Sequence, residues 1–385
     1  MWRGQQSQGT GLALIKSRTR PEKWGTMAGR IRSAIIGTGF IGSVHARAVH
    51  AAGGVVAAVA ASDAERGAES ARRLHAERSG TADDLVVADD VELVHICTPN
   101  HLHAPLAERA LAAGKHVICE KPLSTGLAEA RQLTERAHAA GVVAAVPFAY
   151  RFYPTVRDAR GRVRRGDTGP LRLLHGTYLQ DWMSRPADDN WRADPALGGA
   201  SRAFGDIGVH WCDLVEFTTG HRIVRLAARL LRVPRPGSAR AGQDGSDDGA
   251  VVQFETDAGA LGSTVISQVS PGRKNRLWLS IEGADASLQF DQELPDSLWV
   301  GGREQNLVVP RGAESSTADA DRYNVVPVGH PQGYQDCFTA FVADVHAAIG
   351  GDPPDGLPTF DDGLRAAVLT DAVLASDAAG GWVDV

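Results

Sequence analysis

The chain is poor in sulfur, has no long apolar run and carries no surplus of positive charge. Its four cysteines, Cys97, Cys119, Cys212 and Cys337, include no C-x-x-C pair in 385 residues, so neither a disulfide scaffold nor a cysteine-built zinc site is encoded. Cys97 and Cys119 fall within apolar, strand-like runs and read as reduced core thiols, which suits a cytoplasmic location. No apolar stretch approaches the roughly 20 residues that span a bilayer, so no membrane partner is expected. The formal charge is −6, and acids and bases are interspersed without the basic stripe that nucleic acid requires. Internal repeats, heptad arrays and long low-complexity tracts are also lacking. What remains is an ordinary globular composition, long enough for two domains with a core each.

From Ile31 to Val146 strand and helix patterns alternate. Val55 to Ala60 is apolar throughout, as a strand covered on both faces should be, and Asp63 to Leu74 follows as a helix, with Ser62 and Glu65 placed as a capping box. Leu93 to Thr98, His116 to Glu120 and Val142 to Val146 are further strands; His103 to Ala113 and Leu127 to Ala140 are helices. This alternation predicts an α/β fold with a doubly wound parallel sheet over residues 27–148. After Pro147 the pattern changes. A helix from Thr155 to Arg165 and a strand from Leu171 to Gln180 precede an aromatic loop, Asp181 to Gly199. Asp206 to Thr218 reads as a helix. Successive strand-like runs follow, including Leu261/Val265/Val269 and Leu277/Leu279/Ile281, and predict an antiparallel sheet in a second domain over residues 149–385. Pro234 to Asp248 reads as a mobile loop. Helices near Tyr334–Ile349 and Phe360–Ser376 and a short strand at Trp382–Val385 close the chain.

Three motifs carry chemistry. The run Gly37-Thr38-Gly39-Phe40-Ile41-Gly42, between a strand and a helix, has the form of a dinucleotide-binding turn, in which glycines let the backbone approach a pyrophosphate at a helix N-terminus. Glu120-Lys121-Pro122 ends a strand, and its lysine faces the crevice where open α/β sheets bind ligands. Asp206-Ile207-Gly208-Val209-His210, if α-helical, puts Asp206 and His210 on one face, one turn apart. Lys121, Asp206 and His210 together supply a cation, a carboxylate and a base around one alcohol, which suits oxidation by hydride transfer to a nicotinamide. No metal is expected, since Cys212 points away from His210 on a helix.

These motifs, with Cys97-Thr98-Pro99-Asn100, His103 and Asp213, resemble the glucose–fructose oxidoreductase/inositol dehydrogenase/rhizopine-catabolism (Gfo/Idh/MocA) family over nearly the whole chain from Ile31. The resemblance implies an N-terminal Rossmann domain, a C-terminal α/β domain with a large, mostly antiparallel sheet, and a homo-oligomer, dimer or tetramer, joined through that sheet. It also implies catalytic roles for Lys121 and His210, with Asp206 binding or orienting beside them. Gly37 to Gly42, Thr98, Pro99, Asn100, Glu120 and Lys121 are the cofactor-side residues. His103 either caps the next helix or approaches the cofactor, and Ser62 either caps a helix or touches the adenosine ribose. The second strand ends in Ala60-Ala61-Ser62-Asp63, without the acid usual at that position in NAD-specific members; NAD is favoured, with NADP the alternative through Arg66.

Trp182, Trp191, Arg192 and Arg202, with Arg151, suit a sugar or cyclitol ring. The expected function is an NAD(P)-dependent dehydrogenase of a secondary alcohol on such a substrate. Two alternatives stand beside it: a redox-neutral enzyme that retains its NAD and cleaves glycosides through transient oxidation, and a non-catalytic dinucleotide sensor.

Residues 1–26 are polar and basic, with Leu12 to Ile15 their only apolar island and no adequate h-region for secretion. They read as a disordered or mis-assigned extension ahead of Met27. A chain beginning at Met27 is expected to fold and work unchanged, and loss of activity in it refutes that reading.

Overall fold

A computed structural model describes residues 30–185, 187–234, 246–314 and 316–385; the expectation for residues 1–26 lies outside them. Residues 31–385 form one unit built on two sheets. The first comprises β1 (Arg32–Ile36), β2 (Val55–Ala60), β3 (Arg78–Ser79), β4 (Leu93–Ile96), β5 (His116–Cys119) and β6 (Ala144–Ala145), in the order β3-β2-β1-β4-β5-β6. All its pairings are parallel. The order reverses between β1 and β4, so a crevice opens at the carboxyl ends of those two strands. The apolar run of β2 is buried almost throughout because helices cover both faces. These are α1 (Phe40–Ala51), α2 (Ala64–Arg73), the one-turn α3 (Ala82–Leu85), α4 (His103–Ala112) and α5 (Leu127–Ala140).

The cap of α2 differs from the expected box. Asp63 is the N-cap and accepts from the Arg66 N–H at 2.8 Å, while Ser62 Oγ donates to Asp63 at 3.1 Å. An aspartate one residue nearer the helix outcompetes the serine because its carboxylate also meets the positive end of the helix dipole.

A 3-10 turn at Ala149–Phe152 and α6 (Pro154–Arg165) lead to the second sheet. Its strands are β7 (Leu171–Leu179), β8 (Ile223–Leu231), β9 (Gly249–Thr256), β10 (Leu261–Ser267), β11 (Arg276–Gly283), β12 (Ser287–Asp291), β13 (Ser297–Gly301), β14 (Asn306–Pro310) and β15 (Val383–Asp384). They run in the order β14-β13-β12-β11-β7-β10-β9-β8-β15, and β7 with β10 is the parallel pair among otherwise antiparallel neighbours. The intervening helices are α7 (Pro195–Gly198), α8 (Val209–Thr219), α9 (Ala318–Asp321), α10 (Tyr334–Ile349) and α11 (Phe360–Ala379). Helices α6, α8 and α11 pack on one face of the sheet. On β10 it is Thr264 and Ile266 that face this core, whereas Leu261 and Val265 point outward, 53% and 41% exposed. The apolar alternation that marked the strand thus belongs to its open face.

Two of the expected substrate residues, Arg151 and Arg202, are held in buried ion pairs. Arg151 is buried against Asp213 (Nε to Oδ2, 2.9 Å) and Asp362 (2.7 Å), tying the 3-10 turn to α8 and α11. Arg202 is fully buried and pairs with Asp248. The expected mobile loop is described only at its ends. Residues 235–245 lie outside the description, and Ser246, Asp247 and Asp248 are buried. The Asp247 carboxylate accepts from the N–H groups of Arg202 and Phe204, each at 2.8 Å. The carboxylate partners of both arginines stand tens to hundreds of residues away in sequence, so no local pattern reveals the pairing.

Removing one member of a buried ion pair strands the other, a loss of about 3–5 kcal/mol. Arg202→Met should therefore lower unfolding stability by about that amount in urea titration.

Candidate active site

The glycine turn follows β1 directly. Gly37 has φ +97°, and a Cβ there would lie 2.4 Å from the Cys97 carbonyl oxygen; a Cβ on Gly42 would lie 1.9 Å from Gly37 O. Both glycines are demanded by the packing of the turn. A Cβ on Gly39 meets nothing within 4 Å, so this residue faces open space where α1 begins. No side chain caps α1 and no acid stands in its first turn, which leaves its N–H groups and dipole directed at the crevice. The crevice is a cleft of ≈ 1000 Å³ lined by Gly37, Thr38, Gly39, Phe40, Ile41, Ser62, Arg66, Arg73, Thr98, Pro99, Trp191 and Arg192, among others. Thr98 Oγ1 is buried there without a hydrogen-bond partner among the described residues. Uncapped amides, a glycine with room above it and an orphaned hydroxyl fit a dinucleotide.

Ser62 and Arg66 meet at the far end of β2, Arg66 Nη1 donating to Ser62 Oγ at 3.0 Å. Asp63 is turned onto α2 and does not line the cleft.

An adjoining pocket of ≈ 330 Å³ is lined by Asn100, His103, Glu120, Lys121, Tyr150, Tyr178, Gln180, Asp206, His210, Asn275 and Tyr334, with Phe40, Ile41, Thr98 and Arg192 shared between the two spaces. Lys121 precedes a cis-proline, and its Nζ donates to Asp206 Oδ1 at 2.5 Å and to the Asp206 carbonyl at 2.8 Å. The other carboxylate oxygen of Asp206 accepts from Gln268 at 2.8 Å, and Arg192 Nε stands 3.8 Å from Oδ1. Burial pushes the Asp206 carboxyl up, but the charges of Lys121 and Arg192 outweigh it and hold it at about 2. Burial, reinforced by the charge of Lys121, drives His210 well below the usual histidine value. Its Nδ1 has no hydrogen-bond partner among the described residues, and its ring sits edge-to-face with Tyr150 at 5.2 Å and Phe148 at 5.5 Å.

The segment before His210 departs from the expected helix. Phe204–Gly208 forms a π-type turn, and α8 begins only at Val209. In consequence the Asp206 carboxylate is hydrogen-bonded to Lys121 and Gln268, not to the imidazole. Such turns insert one residue into a helix and recur at functional sites.

His103 opens α4, but its side chain bridges two strand-end loops, with Nδ1 2.7 Å from Pro122 O and Nε2 2.9 Å from Thr98 O. Asn100 donates to Gly198 O at 2.9 Å. Of the expected substrate residues, Arg192 lines both spaces and stacks on Trp191 at 4.4 Å. Trp182 stands behind the wall, its indole N–H held on Gln180 at 2.8 Å. Trp211 is core, donating to Trp278 O at 2.9 Å.

Sequence reasoning missed the pocket's polar wall. Asn275 Nδ2 donates to Tyr150 Oη at 3.1 Å, Tyr150 meets Tyr178 at 2.5 Å, and Tyr178 returns a hydrogen bond to Asn275 Oδ1 at 2.8 Å, where Gln180 also donates at 2.7 Å. Gln180 follows β7 and Asn275 precedes β11, and these strands are antiparallel neighbours. Only the strand pairing brings them together, so no local pattern signals them. Among the described residues, no three His, Cys, Asp or Glu side chains converge as metal ligands.

Two family models match the chain: an oxidoreductase family with an NAD-binding Rossmann fold over residues 31–148, and the GFO/IDH/MocA C-terminal domain over residues 156–289. Levoglucosan dehydrogenase of Pseudarthrobacter phenanthrenivorans is 32% identical, covering 91% of this chain and 97% of that protein. The 1,5-anhydro-D-fructose reductase of Ensifer adhaerens is 33% identical over 86% of this chain and 92% of its own length. A solved levoglucosan dehydrogenase in complex with NADH and levoglucosan superposes with a TM-score of 0.85 at 30% identity, over 93% of this chain and 99% of that one.

Lys121→Met removes the nearest positive charge from Asp206 and leaves its burial opposed by the more distant Arg192 and the Gln268 hydrogen bond. The Asp206 carboxyl should then titrate above its value of about 2, as read by carbon-13 NMR of the side-chain carboxyl.

Proposed function

The chain belongs to the GFO/IDH/MocA oxidoreductase family, and from that premise we propose that it oxidises a secondary alcohol of a sugar or sugar derivative, with anhydrosugars the leading class and cyclitols the second. The observation that carries this reading is the meeting of Lys121, Asp206 and His210 in a pocket continuous with the dinucleotide cleft. Residues 27–148 would serve the cofactor, and residues 149–385 the substrate and assembly.

The Gly37 to Ile41 turn, Thr98 and Pro99 would hold the dinucleotide, with the N–H groups of α1 on its pyrophosphate. Bound there, it supplies the two-electron acceptor. Lys121 would direct its ammonium at the substrate oxygen and stabilise the charge that grows as the O–H bond is lost. His210, kept neutral by burial, would take that proton. Asp206 aims Lys121, a role the π-type turn favours over orienting His210. The Tyr150–Tyr178–Asn275 ring, with Gln180, offers donors and acceptors in fixed positions for further hydroxyls, as a polyol requires. NAD is the favoured cofactor, as the family description supports; Ser62 and Arg66 leave NADP as the alternative.

Two features of the setting follow the same reading. On the uncovered face of the second sheet Leu173 stands beside Leu261 and Val251 beside Val265 across neighbouring strands, each at least 41% exposed. Apolar pairs left open on a sheet face suit a homo-oligomer, dimer or tetramer, joined there, and sedimentation equilibrium reads it directly. The four cysteines are unpaired and buried, which supports a reducing, cytoplasmic compartment. No described helix is long and apolar enough to cross a membrane.

The test is an absorbance screen at the reduced-nicotinamide band with NAD and NADP in parallel, across anhydrosugars, aldoses, inositols and simple glycosides. An anhydrosugar or other sugar should give reduced cofactor, and Lys121→Met should lower the rate by about 10²–10³. Because the active form of His210 is unprotonated and its pKa is depressed, kcat/KM for oxidation should hold as pH falls through 6.5 and decline only below it. A flat screen from protein that carries tightly bound dinucleotide would move the redox-neutral reading to first place.

A further inference from the structure

Beneath the strand end that carries Lys121, three titratable side chains touch in series, and the chemistry above uses none of them. His45 lies on α1, His95 on β4, and Glu120 directly follows β5. Both imidazoles are 0% exposed and Glu120 is 7% exposed. The two Nδ1 atoms stand 2.9 Å apart, and His45 Nε2 lies 3.1 Å from Glu120 Oε1. The second oxygen, Glu120 Oε2, accepts from the Lys121 backbone N–H at 3.2 Å. Phe338 of α10 closes the site edge-to-face on His45 at 5.1 Å, and His346 of the same helix is the other titratable group acting on His95.

The arrangement admits one sensible distribution of protons. Two ring nitrogens in contact need one N–H and one lone pair. If His45 donates from Nε2 to Glu120, its Nδ1 is a lone pair and must accept from an N–H on His95 Nδ1. His95 Nε2 is then bare, and among the described residues it has no hydrogen-bond partner. The reverse polarity sets a lone pair against the Glu120 carboxylate and buries an unpaired N–H on His95, and a lost buried partner is costly. A second proton on His95 is opposed by burial, which drives that residue well below the usual histidine value.

We propose that His95 and His45 form a positioning relay that fixes the Glu120 carboxylate and, through its second oxygen, the Lys121 main chain, so that the Lys121 ammonium stays registered on Asp206. The relay rests on the role given to Lys121 under the proposed function. Glu120 also lines the pocket beside Lys121, so a rotated carboxylate would disturb both the lysine and the space it serves. The imidazoles themselves touch neither substrate nor cofactor; they act through Glu120.

The relay is read first without turnover. Nitrogen-15 NMR of the full chain should show His45 protonated at Nε2 and His95 protonated at Nδ1, the less common tautomer; the opposite pattern in either ring overturns the proposal. In kinetics, His45→Leu removes the donor to Glu120, whereas His45→Gln can present an amide N–H near the position of Nε2. His45→Leu should lower kcat about 100-fold with dinucleotide affinity, measured by fluorescence titration, unchanged, and His45→Gln should recover most of the loss. Folded His45→Leu with wild-type kcat, or His45→Gln no better than His45→Leu, overturns it. If His45→Leu does not fold, the tautomers and His45→Gln decide. Wild-type protein that oxidises no alcohol refutes the function read from Lys121 but leaves the tautomer pattern standing as the test of the relay.

Discussion

The ion pair between Lys121 and Asp206 is the interaction on which the site depends. It fastens the carboxyl end of β5 to the π-type turn ahead of α8, and so brings a cation from the parallel sheet to a base on a helix packed against the other sheet. The pair is partly buried, with side-chain exposures of 14% and 17%, which makes its attraction stronger than a surface pair's and its desolvation larger. Three further contacts offset that cost: the Asp206 carbonyl and Gln268 accept and donate at 2.8 Å, and Arg192 stands near. One charged pair therefore sets the lysine's aim, keeps the carboxylate ionised and, through the lysine's charge, helps keep His210 neutral.

Electrostatics and packing act in the same direction across the cleft. The turn after β1 excludes side chains at Gly37 and Gly42 by direct backbone collision, yet leaves Gly39 open to the cleft. The α1 terminus is free of acids and caps that would compete with a bound anion. Behind it, His103 clamps the loops after β4 and β5 through two backbone carbonyls, so the two spaces share rigid walls.

Much of this was legible in the sequence, and the exceptions share one cause. Strand and helix alternation, the glycine turn and Lys121 ahead of a proline are local patterns, and local patterns survive translation into structure. The side chains misjudged are those whose role depends on a partner distant in the chain. Arg151 and Arg202 were expected to meet a sugar ring, but they are buried in ion pairs with Asp362 and Asp248. Tyr178, Gln180 and Asn275 have no motif at all and converge only because β7 pairs with β11. Leu261 and Val265 showed strand periodicity without saying which face was covered, since period two is silent about which side carries the helices.

The π-type turn at Phe204–Gly208 has a consequence of another kind. A single residue gained or lost in a helix rotates everything on one side of it by about 100° relative to the other. The direction in which Asp206 leaves the backbone relative to His210 is therefore written in the length of this segment rather than in the identity of any side chain. Substitution can remove the carboxylate, but redirecting it takes an insertion or a deletion. Divergence within this scaffold could thus exchange pocket residues freely while the spacing of acid and base stays locked.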